Sequence, residues 1–282
     1  MPMSKVIINA ALTGMVPTRD MNPHVPLTPS EIAADAERVY RLGASIVHVH
    51  ARDGDGRPSG DREIYREIIR RIRDRCGDMV ITVSLSGRRV RDPRKRMQVL
   101  ELDGDAKPDM ASLMMGSLNM GKDYSLNQHE VILLFLTSME EAGVEPELEC
   151  FDLGMIDYCA YLYERGYLRG GKYANLVLGS LGGLSASAKN LVHMVDALPD
   201  GILWGATGIG ATAFSIQCMA LAMGGHVRVG LEDCLYMDEE KKEVATNEKL
   251  VRRVRSAAHA MGREVAAPGE VRSLLGLPAL SG

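Results

Sequence analysis

The sequence predicts an α/β fold, a closed (β/α)8 barrel spanning residues 1–282 as one domain. Three observations predict it. An apolar, strand-like run followed by a helix-like run recurs eight times, no linker or composition shift separates the repeats, and 282 residues suit one barrel of this kind. Strict alternation argues for parallel strands, because a parallel pair needs a crossover that is usually helical. An open doubly wound sheet is the alternative, and the fourth strand is the weakest of the eight.

Residues 6–12 read as the first strand. The loop that follows, 13–28, carries Pro17, Pro23 and Pro26; unstructured loops of this length are usually functional or disordered. Thr28-Pro29-Ser30-Glu31 supplies a cap, a proline and a first-turn acid, so a helix opens there and runs to Leu42 before Gly43 stops it. Seven more strands follow at 45–50, 79–84, 110–115, 147–151, 174–179, 202–206 and 227–232. Their helices are expected near 62–75, 93–102, 127–142, 155–165, 186–198, 211–223 and 247–261. Glycines such as Gly77, Gly143, Gly166, Gly224 and Gly262 mark several of the stops.

Composition narrows the function. A net charge of −4 gives no electrostatic reason to expect nucleic acid or an anionic membrane, and no run of about 18 apolar residues suggests a membrane span. Met1-Pro2-Met3-Ser4-Lys5 enters the first strand without a signal peptide's apolar core or cleavage site. The five cysteines (Cys76, Cys150, Cys159, Cys218, Cys234) show no Cys-x-x-Cys spacing and read as reduced thiols, so a cytoplasmic location is expected. Seventeen methionines beside three phenylalanines suggest an adaptable core or pocket lining.

Barrel active sites lie at the C-terminal ends of the strands. The polar residues there are Asn9, His48, His50, Ser84, Ser112, Glu147, Glu149, Arg228, Glu232 and Asp233. His48 and His50 are two apart on a strand, so both imidazoles share a face. With only seven histidines in the chain, a metal-ligand pair is favoured over two unrelated polar residues. In a closed barrel the last strand neighbours the first, which neighbours the second, so Glu232 reaches the same point. Two histidines, one carboxylate and an open position make a catalytic zinc arrangement. The plain reading of Glu232-Asp233 is an acidic pair at a helix entry; the barrel favours the site. A metal on a keto oxygen would stabilise an enolate's charge. Asp233 is then placed as general base. Arg228, four residues before Glu232 and on the same strand face, would fix a carboxylate or orient Asp233, or make only a salt bridge.

These residues form longer stretches: Asn22-Pro23-His24-Val25-Pro26, His48-Val49-His50-Ala51-Arg52, Pro146-Glu147-Leu148-Glu149-Cys150-Phe151-Asp152, Gly154-Met155-Ile156-Asp157, and the run from Gly224 to Asp233. Through them the chain resembles the β-keto acid cleavage enzyme family over nearly its whole length. The resemblance implies a TIM barrel, a homotetramer, one zinc per subunit and acetyl-CoA as cosubstrate. It implies condensation of a β-keto acid with acetyl-CoA, then cleavage to acetoacetate and a new acyl-CoA. His48, His50 and Glu232 match the zinc ligands, Asp233 the base and Arg228 its orienting partner. Ser84, Ser112 and Glu149 fall where polar groups meet the substrate. There are departures. Members acting on an amino-bearing substrate carry a glutamate after the first strand, and Val16, between Met15 and Pro17, stands at that position. A cationic tail there would lose its ion pair, at a cost of a few kcal/mol if desolvated, so a neutral or apolar tail is expected. Arg88 and Arg89 offer a competing expectation, a second substrate carboxylate, or are solvated loop charges. Gly210-Ala211 stands where many relatives have arginine.

Gly208-Ile209-Gly210-Ala211 follows a strand and opens a helix, a loose dinucleotide-binding pattern. In the seventh unit of a barrel it reads instead as a phosphate contact for CoA through Gly208 and Gly210. A metal-dependent amide or ester hydrolase is the rival enzyme class. It would need later strand-end histidines, which His193, in a helix, and His226, at a strand's start, do not supply. A metal-binding scaffold that oligomerises through its helices is the third reading, opposed by an open coordination position beside an acid and an arginine.

Overall fold

A computed structural model describes residues 5–121 and 123–280; the expectation for Met1-Pro2-Met3-Ser4 lies outside them. In chain order the strands are β1 (Ile8–Ala11), β2 (Ile46–Val49), β3 (Val80–Ser84), β4 (Met110–Met114), β5 (Leu118–Met120), β6 (Asp123–Ser125), β7 (Glu145–Cys150), β8 (Tyr173–Leu178), β9 (Leu203–Gly208) and β10 (His226–Val229). The helices are α1 (Pro29–Arg41), α2 (Arg62–Arg73), α3 (Pro93–Met97), α4 (His129–Ala142), α5 (Leu153–Glu164), α6 (Ala188–Ala197), α7 (Ala213–Ala222), α8 (Asn247–Ala260) and α9 (Pro268–Leu275). Eight strands close into a parallel barrel in the order β1-β10-β9-β8-β7-β4-β3-β2, while β5 and β6 form a separate antiparallel hairpin. The alternative of an open doubly wound sheet, and with it the dinucleotide-binding reading of Gly208 to Ala211, gives way to this closure.

Local chemistry sets the elements. Thr28 accepts from the Glu31 amide at 3.2 Å while Glu31 accepts from the Thr28 amide at 2.9 Å, a reciprocal cap that starts α1. α2 buries Tyr65, Ile68, Ile69 and Ile72 along one stripe and turns its arginines outward. The weakest expected strand, the fourth, is present as β4 and pairs with β3 and β7.

Three features differ from expectation. The helix expected over 93–102 is α only to Met97 and tightens into a 3-10 turn over Gln98–Glu101. The eighth strand ends at Val229, and Glu232 lies in a turn beyond it, where the Asp233 and Cys234 amides both donate to the Gly230 carbonyl. Two elements had no counterpart in the sequence reading: the β5–β6 hairpin and α9.

Alternate residues of each strand enter the barrel. Ile7, Ile46, Val80, Met110 and Tyr173 form an apolar layer at its N-terminal end, against which Val271 and Leu275 of α9 and partly buried Leu203 pack. The larger core lies between the strands and the surrounding helices. One step up each strand the interior turns polar, with Asn9, His48, Thr82, Ser112, Glu147 and Asn175 buried. No helix among the described residues is long and apolar enough to cross a membrane.

Candidate active site

His48 ends up inside the barrel because β2 registers Val47 and His48 against Ala10 and Ala11 of β1. The chain leaves β10 through Gly230, whose missing Cβ lets the turn cross the Ala11 carbonyl; a Cβ there would lie 2.0 Å from that oxygen. The Glu232 amide then donates to Ala11 at 3.2 Å, which seats the side chain over the end of β1. Gly14, at φ +71°, leaves room for it, since a Cβ there would lie 2.7 Å from Glu232 Cγ.

The three donors converge. His48 Nε2 lies 3.2 Å from His50 Nε2, His50 Nε2 lies 3.1 Å from Glu232 Oε1, and His48 Nε2 lies 3.8 Å from Glu232 Oε2. Ligand nitrogens about 2.0–2.1 Å from a tetrahedral ion stand roughly 3.3–3.4 Å apart, so the histidine pair has a suitable spacing. His48 Nδ1 faces Glu147 Oε2 at 2.8 Å. That carboxylate holds the proton on Nδ1 and leaves Nε2 as a lone pair. Glu232 Oε2 is buried without a hydrogen-bond partner among the described residues. Three buried acids, Glu147, Glu149 and Asp233, and the partly buried Glu232 surround one guanidinium, Arg228, an excess of negative charge that a divalent cation would offset. The donor set fits a divalent metal of the zinc type. His48, Glu147 and Glu149 also cluster, but Glu147 is occupied by two amides and Glu149 by Arg228.

Glu147 is the residue the sequence reading missed. In the sequence it is one polar strand residue among several, yet it accepts from Asn9 Nδ2 at 2.5 Å and Asn175 Nδ2 at 2.8 Å as well as facing His48. Burial alone would raise its pKa, but His48, Arg228 and Asn9 outweigh that and hold it below the usual glutamate value. A periodicity argument could have placed Glu147 inward, but not its partners, which come from three other strands.

Arg228 is the hub. Its Nε donates to Asp233 Oδ2 at 3.0 Å, Nη1 to Glu149 Oε1 at 2.8 Å, and Nη2 reaches Glu232 Oε1 at 2.9 Å. The expected meeting of Arg228 and Glu232 occurs through the turn, not through a shared strand face. Burial pushes the Asp233 pKa up, Arg228 only partly opposing it. Glu232 goes the other way: burial would raise it, but His50, Arg228 and His48 hold it well below the usual value. Burial lowers His50. Two acids adjacent in sequence are thus driven apart, Asp233 towards proton uptake and Glu232 towards permanent charge.

These groups open onto a cavity of about 540 Å³ whose wall includes Val16, Ser84, Arg88, Glu149 and Gly210. Ser112 and Gly208 stand outside that wall. Ser112 Oγ accepts from the Leu85 amide at 3.4 Å and braces the loop after β3. Gly208 packs on Thr212. The Gly210 amide donates to the Asp233 carbonyl at 2.7 Å, and that of Ile209 to Leu178 at 2.9 Å. This turn therefore holds the Asp233 backbone, and those two amides are already engaged. His193 is exposed on α6, and His226 accepts from the Ile7 amide at the opposite end of the barrel, so neither adds to the cluster.

A family profile described as beta-keto acid cleavage enzyme matches residues 5–277. The chain is 41% identical over 276 residues to the 3-keto-5-aminohexanoate cleavage enzyme of Fusobacterium nucleatum, covering 98% of this chain and 99% of that one. It is 31% identical over 277 residues to the 3-oxoadipate:acetyl-CoA acetyltransferase of Cupriavidus necator, covering 97% and 95%. Among solved structures, apo ObcA superposes with a TM-score of 0.79 at 21% identity, covering 90% of this chain and 66% of that one, a likeness of fold.

Proposed function

The chain belongs to the beta-keto acid cleavage enzyme family, and from that premise we propose its reaction and the part each residue takes in it. A β-keto acid and acetyl-CoA are converted to acetoacetate and a new acyl-CoA. His48, His50 and Glu232 hold the metal, zinc by its donor set. When bound, the metal supplies a Lewis acid that steadies negative charge developing on the keto oxygen. Asp233 takes a proton from C2 of the keto acid. The C2 electron pair forms a bond to the acetyl carbonyl carbon, and the C–S bond breaks to release the CoA thiolate. The thiolate adds to C3, the C2–C3 bond breaks, and Asp233 returns the proton to the departing acetoacetate carbon. Arg228 orients Asp233, a cavity-wall residue, through its Nε bond to Oδ2. Glu149, Ser84 and Arg88 contact the substrate, and Val16 walls its tail.

The observation that carries this reading is the 3.2 Å and 3.1 Å spacing of His48, His50 and Glu232 beside an Asp233 tied to Arg228. Phosphates of CoA meet the Gly208–Gly210 turn through backbone groups other than the engaged Ile209 and Gly210 amides. A single domain over residues 1–282, a homotetramer and a cytoplasmic location complete the reading; sedimentation of the zinc-loaded protein tests the tetramer. Zinc-loaded protein given acetyl-CoA and a panel of β-keto acids should yield acetoacetate and a matching acyl-CoA. Protein inert towards the panel but active on amides would replace the reading with the hydrolase.

A further inference from the structure

The cavity has two chemically different sides. On the side of β3, the Ser84 Oγ accepts from the Ser86 amide at 3.1 Å and the Ser86 Oγ accepts from the Arg88 amide at 3.4 Å. Both hydroxyl oxygens are therefore engaged as acceptors, and neither O–H has a described acceptor, so both protons are left for a ligand. Arg88 follows. Its side chain is about a quarter exposed, makes no side-chain hydrogen bond among the described residues, and has a buried Nε without a partner. The nearest carboxylate, Asp123, is 3.7 Å from it and also lies 3.2 Å from Arg89 and 3.7 Å from Arg91. One acid is thus shared by three guanidiniums, and Arg88 is the one of them that faces the cavity. The backbone beneath is rigid, because Arg96 donates to the Leu85 carbonyl and to Asn127, both at 2.6 Å.

On the side of β1 and the turn after β10 the wall is Met15, Val16, Pro17, Met21 and Leu235. The remaining charged wall residues, Asp20 and Lys241, are exposed and opposite in sign. Arg228 is already spent on three acids. A partly buried guanidinium with unused donors, lining the same cavity as two free hydroxyl protons, is built for a carboxylate, which it can meet with two parallel hydrogen bonds. An aliphatic wall is built for hydrocarbon.

We propose that Arg88, with Ser84 and Ser86, takes the C1 carboxylate of the substrate, which turns the tail onto the Met15–Val16–Leu235 wall. The substrate class is then a 3-oxo monocarboxylic acid with an uncharged aliphatic tail. This rests on the reaction proposed above and narrows it. At the far side an acid with a charged tail meets only Asp20 and Lys241, which are exposed to water and opposite in sign, whether that tail is amino-bearing or carries a second carboxylate.

The test has two arms. Calorimetry of zinc-loaded protein with 3-oxohexanoate alone reads binding without requiring turnover, so it reports on the clamp even if the reaction is wrong. Steady-state assays with acetyl-CoA then compare 3-oxopentanoate, 3-oxohexanoate and 3-oxooctanoate with 3-oxoadipate and 3-keto-5-aminohexanoate. The monoacids should give the highest kcat/KM. Arg88→Met should weaken every keto acid roughly 10- to 100-fold, in KM and in calorimetric Kd, while leaving the KM for acetyl-CoA and the zinc content unchanged. Arg88→Lys should recover part of the loss, since lysine keeps the charge without the planar fork. Three outcomes overturn the proposal: 3-oxoadipate as best substrate with Arg88→Met abolishing only its advantage, Arg88→Met raising the KM for acetyl-CoA alone, or unchanged binding of 3-oxohexanoate by a folded, zinc-loaded Arg88→Met protein.

Discussion

Ile46 and His48 sit two residues apart on one strand and point into the same barrel, yet their surroundings are opposite. Around Ile46 the layer is Ile7, Val80, Met110 and Tyr173, closed from below by Val271 and Leu275 of α9. Around His48 it is Asn9, Glu147 and Asn175, with Arg228 and three further acids above. The strand period delivers both rows inward without regard to their chemistry. What separates them is the cover: a helix excludes water at one end, and loops leave a cavity at the other. Buried charge is costly, and the apolar end supplies burial that offsets it. The lower half is expected to govern stability and the upper half chemistry.

The largest expected break comes at the top. Glu232→Ala should lose zinc and turnover together, turnover by roughly a thousandfold, the several kcal/mol a Lewis acid contributes. Asp233→Asn should keep zinc and lose about 10²- to 10⁴-fold in kcat. Metal analysis alongside acetoacetate release separates the two, and an Asp233→Asn protein with normal turnover would remove Asp233 as the base. At the bottom, Leu275→Ala should cost about 2–5 kcal/mol in urea unfolding while kcat stays as it was. A loss of zinc there would show that the halves are not independent.

His226, also at the bottom, sharpens the contrast through pH. Its Nδ1 accepts from the Ile7 amide at 3.1 Å, so it is held neutral, and burial followed by Arg263 pushes its pKa down to about 4. The unfolded chain titrates near 6.5 and takes up its proton first as pH falls. Stability due to His226 is therefore intact above about 6.5 and is lost between there and about 4, by up to about 3 kcal/mol. His226→Gln should flatten that part of the urea midpoint against pH. The smallest effect is expected at Glu147, which touches His48 from beneath. Glu147→Gln should weaken zinc by about 10- to 100-fold in chelator competition; unchanged affinity would reduce Glu147 to ordinary packing.

The barrel was legible because eight apolar runs alternate with eight helix-like runs, and each strand has its partner in the closed sheet. The convergence of His48, His50 and Glu232 was legible for the same reason: two-residue spacing fixed His48 with His50, and strand order brought Glu232 to them. The β5–β6 hairpin was not legible, since its three-residue strands are too short for a period. Nor was α9, an eight-residue segment beyond the last repeat whose apolar face has meaning only against the barrel floor. The turn after Val229 escaped notice because Gly230 sits inside a strand-like run, and only the nearby Ala11 carbonyl explains why a glycine is needed there. Glu147 escaped because its partners Asn9, His48 and Asn175 lie far away along the chain.

The turn through Gly230 also has a consequence in time. It joins the last strand of the barrel to the first, so the third donor arrives only when the seam between β10 and β1 is sealed. During synthesis, His48 and His50 emerge with most of the chain still unmade, as a bidentate pair with no carboxylate to complete it. The full donor set exists only after some 180 further residues have been translated and the ends have met. Loading of the proposed metal centre would thereby be tied to completion of the fold, an unfinished chain offering only half of the site.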